Sequence, residues 1–354
     1  MNSSSLFTLG EGKTPLVRSR RIGPAAGLSN LYFKLESLNP TGSYKDRFAA
    51  AAISDMFHRG ERNVIASSSG NAGAALAAYS AAAGMTCQIV VVQDAPEGKL
   101  KQMAAYGATL HKIRDFGIDP EMTSQVFRAL AELGQQPGSR LQISAYCHSP
   151  IGMAGVEIIS HELAWQSTNE IGNVIDDVFV CAGGGGLVLA VARGFETMQT
   201  QGHLKHRPRI HCVQPEGNDT MAGPLQAGLS QARTCPRSTT RITGLQVPSV
   251  LDGDDAVQAC GKSGGTGHLV SDESVYELQL RLAREEGIFC EPAAAVPLAG
   301  ALQAAGRGEV SPESTIVCLV TGTGFKDQNA VDRMAGSNPC PLITLQEFQQ
   351  RISA

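Results

Sequence analysis

The sequence predicts an α/β protein of two domains, each built on a parallel or mostly parallel sheet flanked by helices. Three observations carry this reading. From residue 45 onward, short runs rich in β-branched residues alternate with Ala-rich stretches. The strand-like runs are apolar throughout rather than alternating, the pattern of strands buried on both faces. At 354 residues, 42% of them hydrophobic, the chain exceeds the usual size of one domain.

The first series begins with a helix at 45–59, ended by Gly60, and a buried strand NVIAS at 63–67. Residues 72–83 are apolar nearly all round and stop at Gly84, a typical helix-ending glycine. A strand at 87–92, a helix at 97–106 and a strand at 108–113 follow, with a fourth strand at 141–144. The second series comes after Gly155: strands at 178–181, 209–214 and 316–320, with helices at 187–198 and 274–286. The stretch 217–267 is rich in Gly, Ser, Thr and Asp and reads as mostly irregular loop without an assigned role.

Composition excludes several classes. The formal net charge of -4, with no basic cluster interleaved with aromatics, argues against nucleic acid. No apolar run approaches the ~20 residues needed to cross a bilayer. The first sixteen residues lack the basic stretch and apolar core of a signal peptide. Nine cysteines are scattered singly without a CxxC pair, which supports neither a disulfide framework nor a zinc site. They read as small buried hydrophobes in a reducing compartment, and the cytoplasm fits best.

Four segments carry chemistry. Asn39 to Arg47 (NPTGSYKDR) places a Pro/Gly turn before a helix that starts near Lys45. The positive end of the helix dipole disfavours a charged amine there, a useful bias for a nucleophile, although a solvated surface lysine has the same local sequence. Ser67 to Asn71 (SSSGN) lies between a strand and a helix; its hydroxyls and amides suit a carboxylate or phenolic oxygen, or serve only as a helix cap. Gly183, Gly184, Gly185 and Gly186 stand between a strand and a helix, where bare amides can wrap a phosphate. A flexible turn rarely needs four glycines. The run is not G-x-G-x-x-G, and no full G-x-x-x-x-G-K-[ST] phosphate loop occurs, so dinucleotide and nucleoside triphosphate readings are weak. Thr321 to Asp327 (TGTGFKD) closes the strand at 316–320, putting a hydroxyl at the carboxyl edge of a sheet, or simply a Gly-rich turn.

In this order the segments resemble the pyridoxal 5'-phosphate (PLP) enzymes of the tryptophan-synthase-β fold type, fold type II, and threonine synthases above all. Glu11 to Leu16 (EGKTPL) is similar to an opening E-G-x-T-P-L, and Asn39 to Arg47 resembles N-P-T-G-S-F-K-D-R. Ser69-Gly70-Asn71 matches an S-G-N loop, and Glu285 to Ala295 resembles E-E-G-I-F-V-E-P-A-S-A. Thr321 to Asp327 resembles T-G-x-G-L-K-D, a threonine-synthase trait more than a dehydratase one.

The resemblance implies that Lys45 carries PLP as a Schiff base and shuttles protons at Cα and Cβ. It further implies that Asn71 bonds the cofactor's 3'-oxygen, that Gly183, Gly184, Gly185 and Gly186 hold its phosphate, and that Thr321 faces the pyridine nitrogen. Ser68 and Ser69 would receive the substrate carboxylate. The implied reaction is that of a carbon–oxygen lyase, converting O-phosphohomoserine to threonine by γ-elimination and addition of water at Cβ. A serine/threonine dehydratase or β-replacement enzyme would use the same residues. A catalytically silent relative that binds PLP is the rival from another class. The resemblance also implies a homodimer, and a small domain at 46–150 that closes over substrate, inserted into a large domain formed by 1–45 and 151–354.

The departures concern the substrate's phosphate. A threonine follows the S-G-N asparagine in threonine synthases; here it is Ala72. Aligning residues 149–158 with N-P-Y-R-x-E-G-x-K-T replaces an arginine by Gly152 and a lysine by Glu157. His148 and Lys326 are the candidates to replace the lost donors.

Overall fold

Two sheets organise the computed structural model, which describes residues 7–95, 97–336 and 340–353. In chain order the strands are β1 (Leu16–Arg18), β2 (Leu31–Lys34), β3 (Asn63–Ser67), β4 (Thr86–Val91), β5 (Thr109–Lys112), β6 (Ser139–Gln142), β7 (Asp177–Cys181), β8 (Arg209–Pro215), β9 (Gly267–Val270) and β10 (Ile316–Leu319). One sheet runs β5-β4-β3-β6 and is parallel throughout. The other runs β1-β2-β10-β7-β8-β9 and is parallel except for β1, which pairs antiparallel with β2. The α/β class with mostly parallel, helix-flanked sheets is therefore present. β7 and β10 are buried along their whole length, which is why they read as unbroken apolar runs.

Helices follow the composition closely where they are buried all round. Asn71–Ala82 has Ala at seven of its twelve positions, and its residues 72–80 are buried. Pro292–Gly306, with Pro at its start and Ala through its body, is buried over most of its length. Lys45–His58 buries its middle against Asn71–Ala82 and against Pro150–Val156. The last contact is tight: a Cβ on Gly152 would lie 2.6 Å from Phe48 Cε2, and one on Gly155 2.5 Å from Arg47 O. Glycine at these positions sets how closely the two helices approach.

Some elements lie beyond the sequence reading. The stretch 217–267 holds the helices Ala222–Gln226 and Gly253–Ser263 and ends at β9. Gly253–Ser263 buries Gly253, Ala256, Val257 and Cys260 on one stripe. Its Gly, Ser and Asp content masks that spacing. Pro120–Gly134 is a helix capped by Asp119, whose carboxylate accepts from the amides of Glu121 and Met122. Six of the nine cysteines are buried, while Cys147 and Cys340 are exposed. Among the described residues no helix is long and apolar enough to cross a membrane. The leader reading rests in part on residues 1–6, which lie outside the described residues.

A buried ion network fixes the start of the Lys45–His58 helix. Arg47 donates to both oxygens of Glu36 at 2.7 Å and to Glu162 at 2.7 and 2.8 Å. Lys34, fully buried, donates to Glu162 at 2.7 Å, to Gln166 Oε1 and to the Thr14 carbonyl. Two cations face two carboxylates, so the network is neutral and hydrogen-bonded, the condition under which buried charge is tolerated. Burial alone would raise Glu162, yet the hydrogen bonds and charges of Arg47 and Lys34 hold it down at about 2.

Candidate active site

The carboxyl ends of β3, β7 and β10 lead into the Ser67–Asn71, 182–186 and 320–327 loops, and all three open on one cavity of about 650 Å³. That volume falls in the usual range for a small-molecule site, at the strand ends where α/β sheets bind ligands. Lys45, Ser68, Ser69, Asn71, Gly183, Gly184, Gly185, Gly186 and Thr321 all line it. The fold thus brings together residues from near both ends of the chain.

Local bonding explains the convergence. The turn before Lys45 is stapled to the loop after β10: Ser43 bridges Gly322, Tyr44 N donates to Thr321 O at 3.0 Å, and Thr323 N donates to Gly42 O at 2.9 Å. Asp46 closes the same turn by accepting from the Thr41 amide and hydroxyl. Lys45 is the first residue of its helix, and its Nζ donates to Ser144 Oγ at 2.7 Å. Burial pushes the amine down to about 8, and the Cys181, Asp252 and Glu291 charges offset this only in part.

The Ser68 hydroxyl accepts from the amides of Gly70 and Gly73, shaping the start of the Asn71–Ala82 helix. Its hydrogen remains free to donate into the cavity. Asn71 Nδ2 donates to Glu291 Oε1 at 2.9 Å, which orients the amide and leaves its second N–H for another acceptor. The Thr321 hydroxyl lies 3.9 Å from Cys181 Sγ and is buried.

The four glycines have two tasks. They open the Gly186–Thr200 helix, and among the described residues no backbone hydrogen bond occupies the amides of Gly183, Gly184 or Gly185. Free amides at a helix start form an anion cradle. Behind them, residues 244–252 pack close. A Cβ on Gly183 would meet Gly244 O at 3.0 Å, one on Gly184 would meet Leu251 Cδ1 at 2.8 Å, and one on Gly185, at φ +96°, would meet the Asp252 carbonyl carbon at 3.0 Å. Close packing behind the loop demands glycine as strongly as access in front. The cradle, the neutralisable amine, the oriented asparagine and the neutral hydroxyl fit a phosphate-bearing pyridine aldehyde.

Some site residues escape the sequence reading. Thr243, Gly244, Leu245, Gln246, Val247 and Leu251 form one wall of the cavity, within the stretch that carries no sequence-assigned role. Asp252 anchors that wall: its amide donates to Gly184 O, and its carboxylate accepts from the amides of Tyr146 and Cys147. Glu291 and Ser144 are further additions. Glu291 could have been found in the E-P-A-A-A segment; nothing around Asp252 signals it.

His148 is placed elsewhere. It is exposed and lines a shallow groove with Glu61 and Arg140, apart from the cavity that Ser68 and Ser69 line. The loop 145–149 turns back through bonds from His148 N and Ser149 N to Ala145 O, and this carries the imidazole away. Gly152 and Glu157 also lie off the cavity, Gly152 against Phe48 and Glu157 accepting from the Tyr146 hydroxyl at 2.7 Å.

Known proteins agree with this architecture. A threonine synthase of Methanocaldococcus jannaschii is 30% identical over 333 residues, covering 94% of this chain and 79% of that one. A threonine synthase of Mycobacterium tuberculosis is 31% identical over 338 residues, covering 95% and 88%. Among solved structures, the serine racemase from Dictyostelium discoideum superposes with a TM-score of 0.71 at 25% identity, covering 89% of this chain and 94% of that one. The family model for pyridoxal-phosphate dependent enzymes matches residues 7–322, and the chain belongs to that family of enzymes, with pyridoxal 5'-phosphate as its cofactor.

Proposed function

We propose that this enzyme works as a threonine synthase, converting O-phosphohomoserine and water to threonine and phosphate. The observation that supports it most is the T-G-T-G-F-K-D turn at 321–327 stapled to the Lys45 turn, in a chain about 30% identical to threonine synthases along nearly its whole length.

In this reading Lys45 carries the cofactor, the amides of Gly183, Gly184, Gly185 and Gly186 bind its phosphate, and Asn71 donates its free N–H to the 3'-oxygen. Thr321 faces the ring nitrogen with a neutral hydroxyl. The cofactor, when bound, supplies electron withdrawal at the substrate Cα. Ser68 and Ser69 receive the substrate carboxylate. Lys45, freed by the incoming amino group, takes the Cα proton, hands it to the cofactor's conjugated system and only then takes a Cβ proton, and the Cγ–O bond breaks as phosphate leaves. Lys45 returns the Cβ proton at Cγ and recovers the first one. Water adds its hydroxyl at Cβ while its remaining proton goes to the departed phosphate, and Lys45 delivers the recovered proton to Cα. Ser144 keeps the amine aimed between these transfers. The proposal extends to a cytoplasmic homodimer in which residues 46–150 close over the rest.

The amine must be neutral to join the cofactor's aldehyde carbon. With Lys45 held near 8, the rate of cofactor attachment to apoenzyme rises about tenfold per pH unit below that value and levels above it. Stopped-flow absorbance across pH 6–10 checks this; an inflection at the ordinary lysine value contradicts it.

A second reading, β-elimination from serine or threonine, is favoured by one packing fact. Phe48 fills the space at Gly152, so no arginine fits there. Turnover separates the two: phosphate and threonine from O-phosphohomoserine support the first, and 2-oxo acid with ammonia from serine or threonine supports the second. Bound cofactor without turnover of any amino acid would leave the silent relative.

A further inference from the structure

Beside the main cavity, sharing Gly70, Asn71 and Lys99 with it, is an annex of about 270 Å³. Its walls come from the S-G-N loop, the Glu97–Ala105 helix and the turn after β10, and Lys99 and Lys326 both line it. Lys326 is buried, its Nζ donating to Gln102 Oε1 at 2.6 Å. Among the described residues neither lysine has a carboxylate within ion-pair distance. Glu291 and Asp46, whose charges act on Lys326, accept hydrogen bonds elsewhere, Glu291 from Asn71 and Asp46 from Thr41. Burial lowers Lys326; Glu291 and Asp46 oppose this from a distance, and the charge of Lys99 lowers it further. Two cations converging on a small recess without an ion-pair partner favour an anion.

We propose that this annex is an anion subsite, in which Lys99 and Lys326 hold the distal phosphate of the amino-acid substrate in place of the arginine that position 152 lacks. The inference rests on the threonine-synthase reading and deepens it. The annex borders the loop proposed for the substrate carboxylate, so one extended substrate reaches both. Lys326 belongs to the T-G-T-G-F-K-D segment, and its position in the annex gives that lysine a task. Gln102 buttresses it, as a pre-aimed donor requires.

The test uses holoenzyme, in which the Gly183–186 cradle is already filled. Inorganic phosphate titrated calorimetrically into wild type binds, and in Lys99→Met and Lys326→Gln its affinity falls about 10- to 100-fold, the usual weight of a charge-assisted bond. The same variants lower kcat/KM for O-phosphohomoserine relative to O-acetylhomoserine, whose ester group carries no charge in the bound substrate. Lys99 is half-buried, so its variant guards against misfolding at Lys326. Equal phosphate affinity in wild type and both variants overturns the subsite, as does no binding to wild type. Lysine-dependent phosphate binding in an enzyme that does not turn over O-phosphohomoserine supports the anion subsite and overturns the threonine-synthase reading instead.

Discussion

Lys45→Ala is expected to lower turnover by at least about 10³-fold, because one amine performs every proton transfer at the substrate carbons in the proposed reaction. Its hydrogen-bond partner Ser144 is a hydroxyl, and the one other lysine among the residues lining the cavity, Lys99, stands on the border with the annex. Lys45→Arg should fail equally, since a guanidinium stays protonated and cannot accept the Cα proton. Added methylamine should restore part of the rate in Lys45→Ala and none in Lys45→Arg, where the longer side chain fills the space. Steady-state kcat with and without amine measures this. A wild-type rate in Lys45→Ala would remove the lysine from the chemistry.

Arg47→Met should destabilise the protein by about 3–5 kcal/mol, as breaking a buried ion pair from one side does. The loss leaves Glu36 fully buried without its cation and Glu162 with Lys34 alone. The damage reaches the cofactor, because Arg47 occupies the first turn of the helix that begins with Lys45. Urea unfolding measures the stability, and the rate of cofactor loss measures the second effect. The acid limb carries a further signature. Glu162 titrates near 2 when folded and in the ordinary carboxylate range when unfolded, so its contribution is present above about pH 4.5 and lost as pH falls toward 2. That slope should flatten in Arg47→Met. An unchanged urea midpoint would show that the network carries no stability.

The cavity residues named from the sequence were legible because they lie in short, contiguous segments. Lys45, Asn71, Thr321 and the four glycines each sit at a junction between a loop and a regular element that can be recognised locally, and parallel sheets bring such junctions to one edge. The Ala-rich helix Asn71–Ala82 was legible from its composition, whereas the equally Ala-rich and buried Pro292–Gly306 was not assigned as a helix. What stayed hidden depends on distant partners. Asp252 matters because it ties the amides of Tyr146 and Cys147 to the carbonyl of Gly184, and nothing in a Gly/Asp-rich stretch distinguishes it. Gly152 looked like a missing arginine; the fold shows a contact with Phe48 that only glycine permits. His148 stood close in sequence to cavity residues such as Ser144 and Ala145, yet the turn after Ala145 sends it outward.

Borohydride reduction of the holoenzyme, followed by proteolysis and peptide mapping, tests the assignment on which all of this depends. The reduced cofactor label should appear on the peptide carrying Lys45 and vanish in Lys45→Ala. Label on Lys99, Lys326 or any other lysine, or a holoenzyme that yields no labelled peptide, would contradict it.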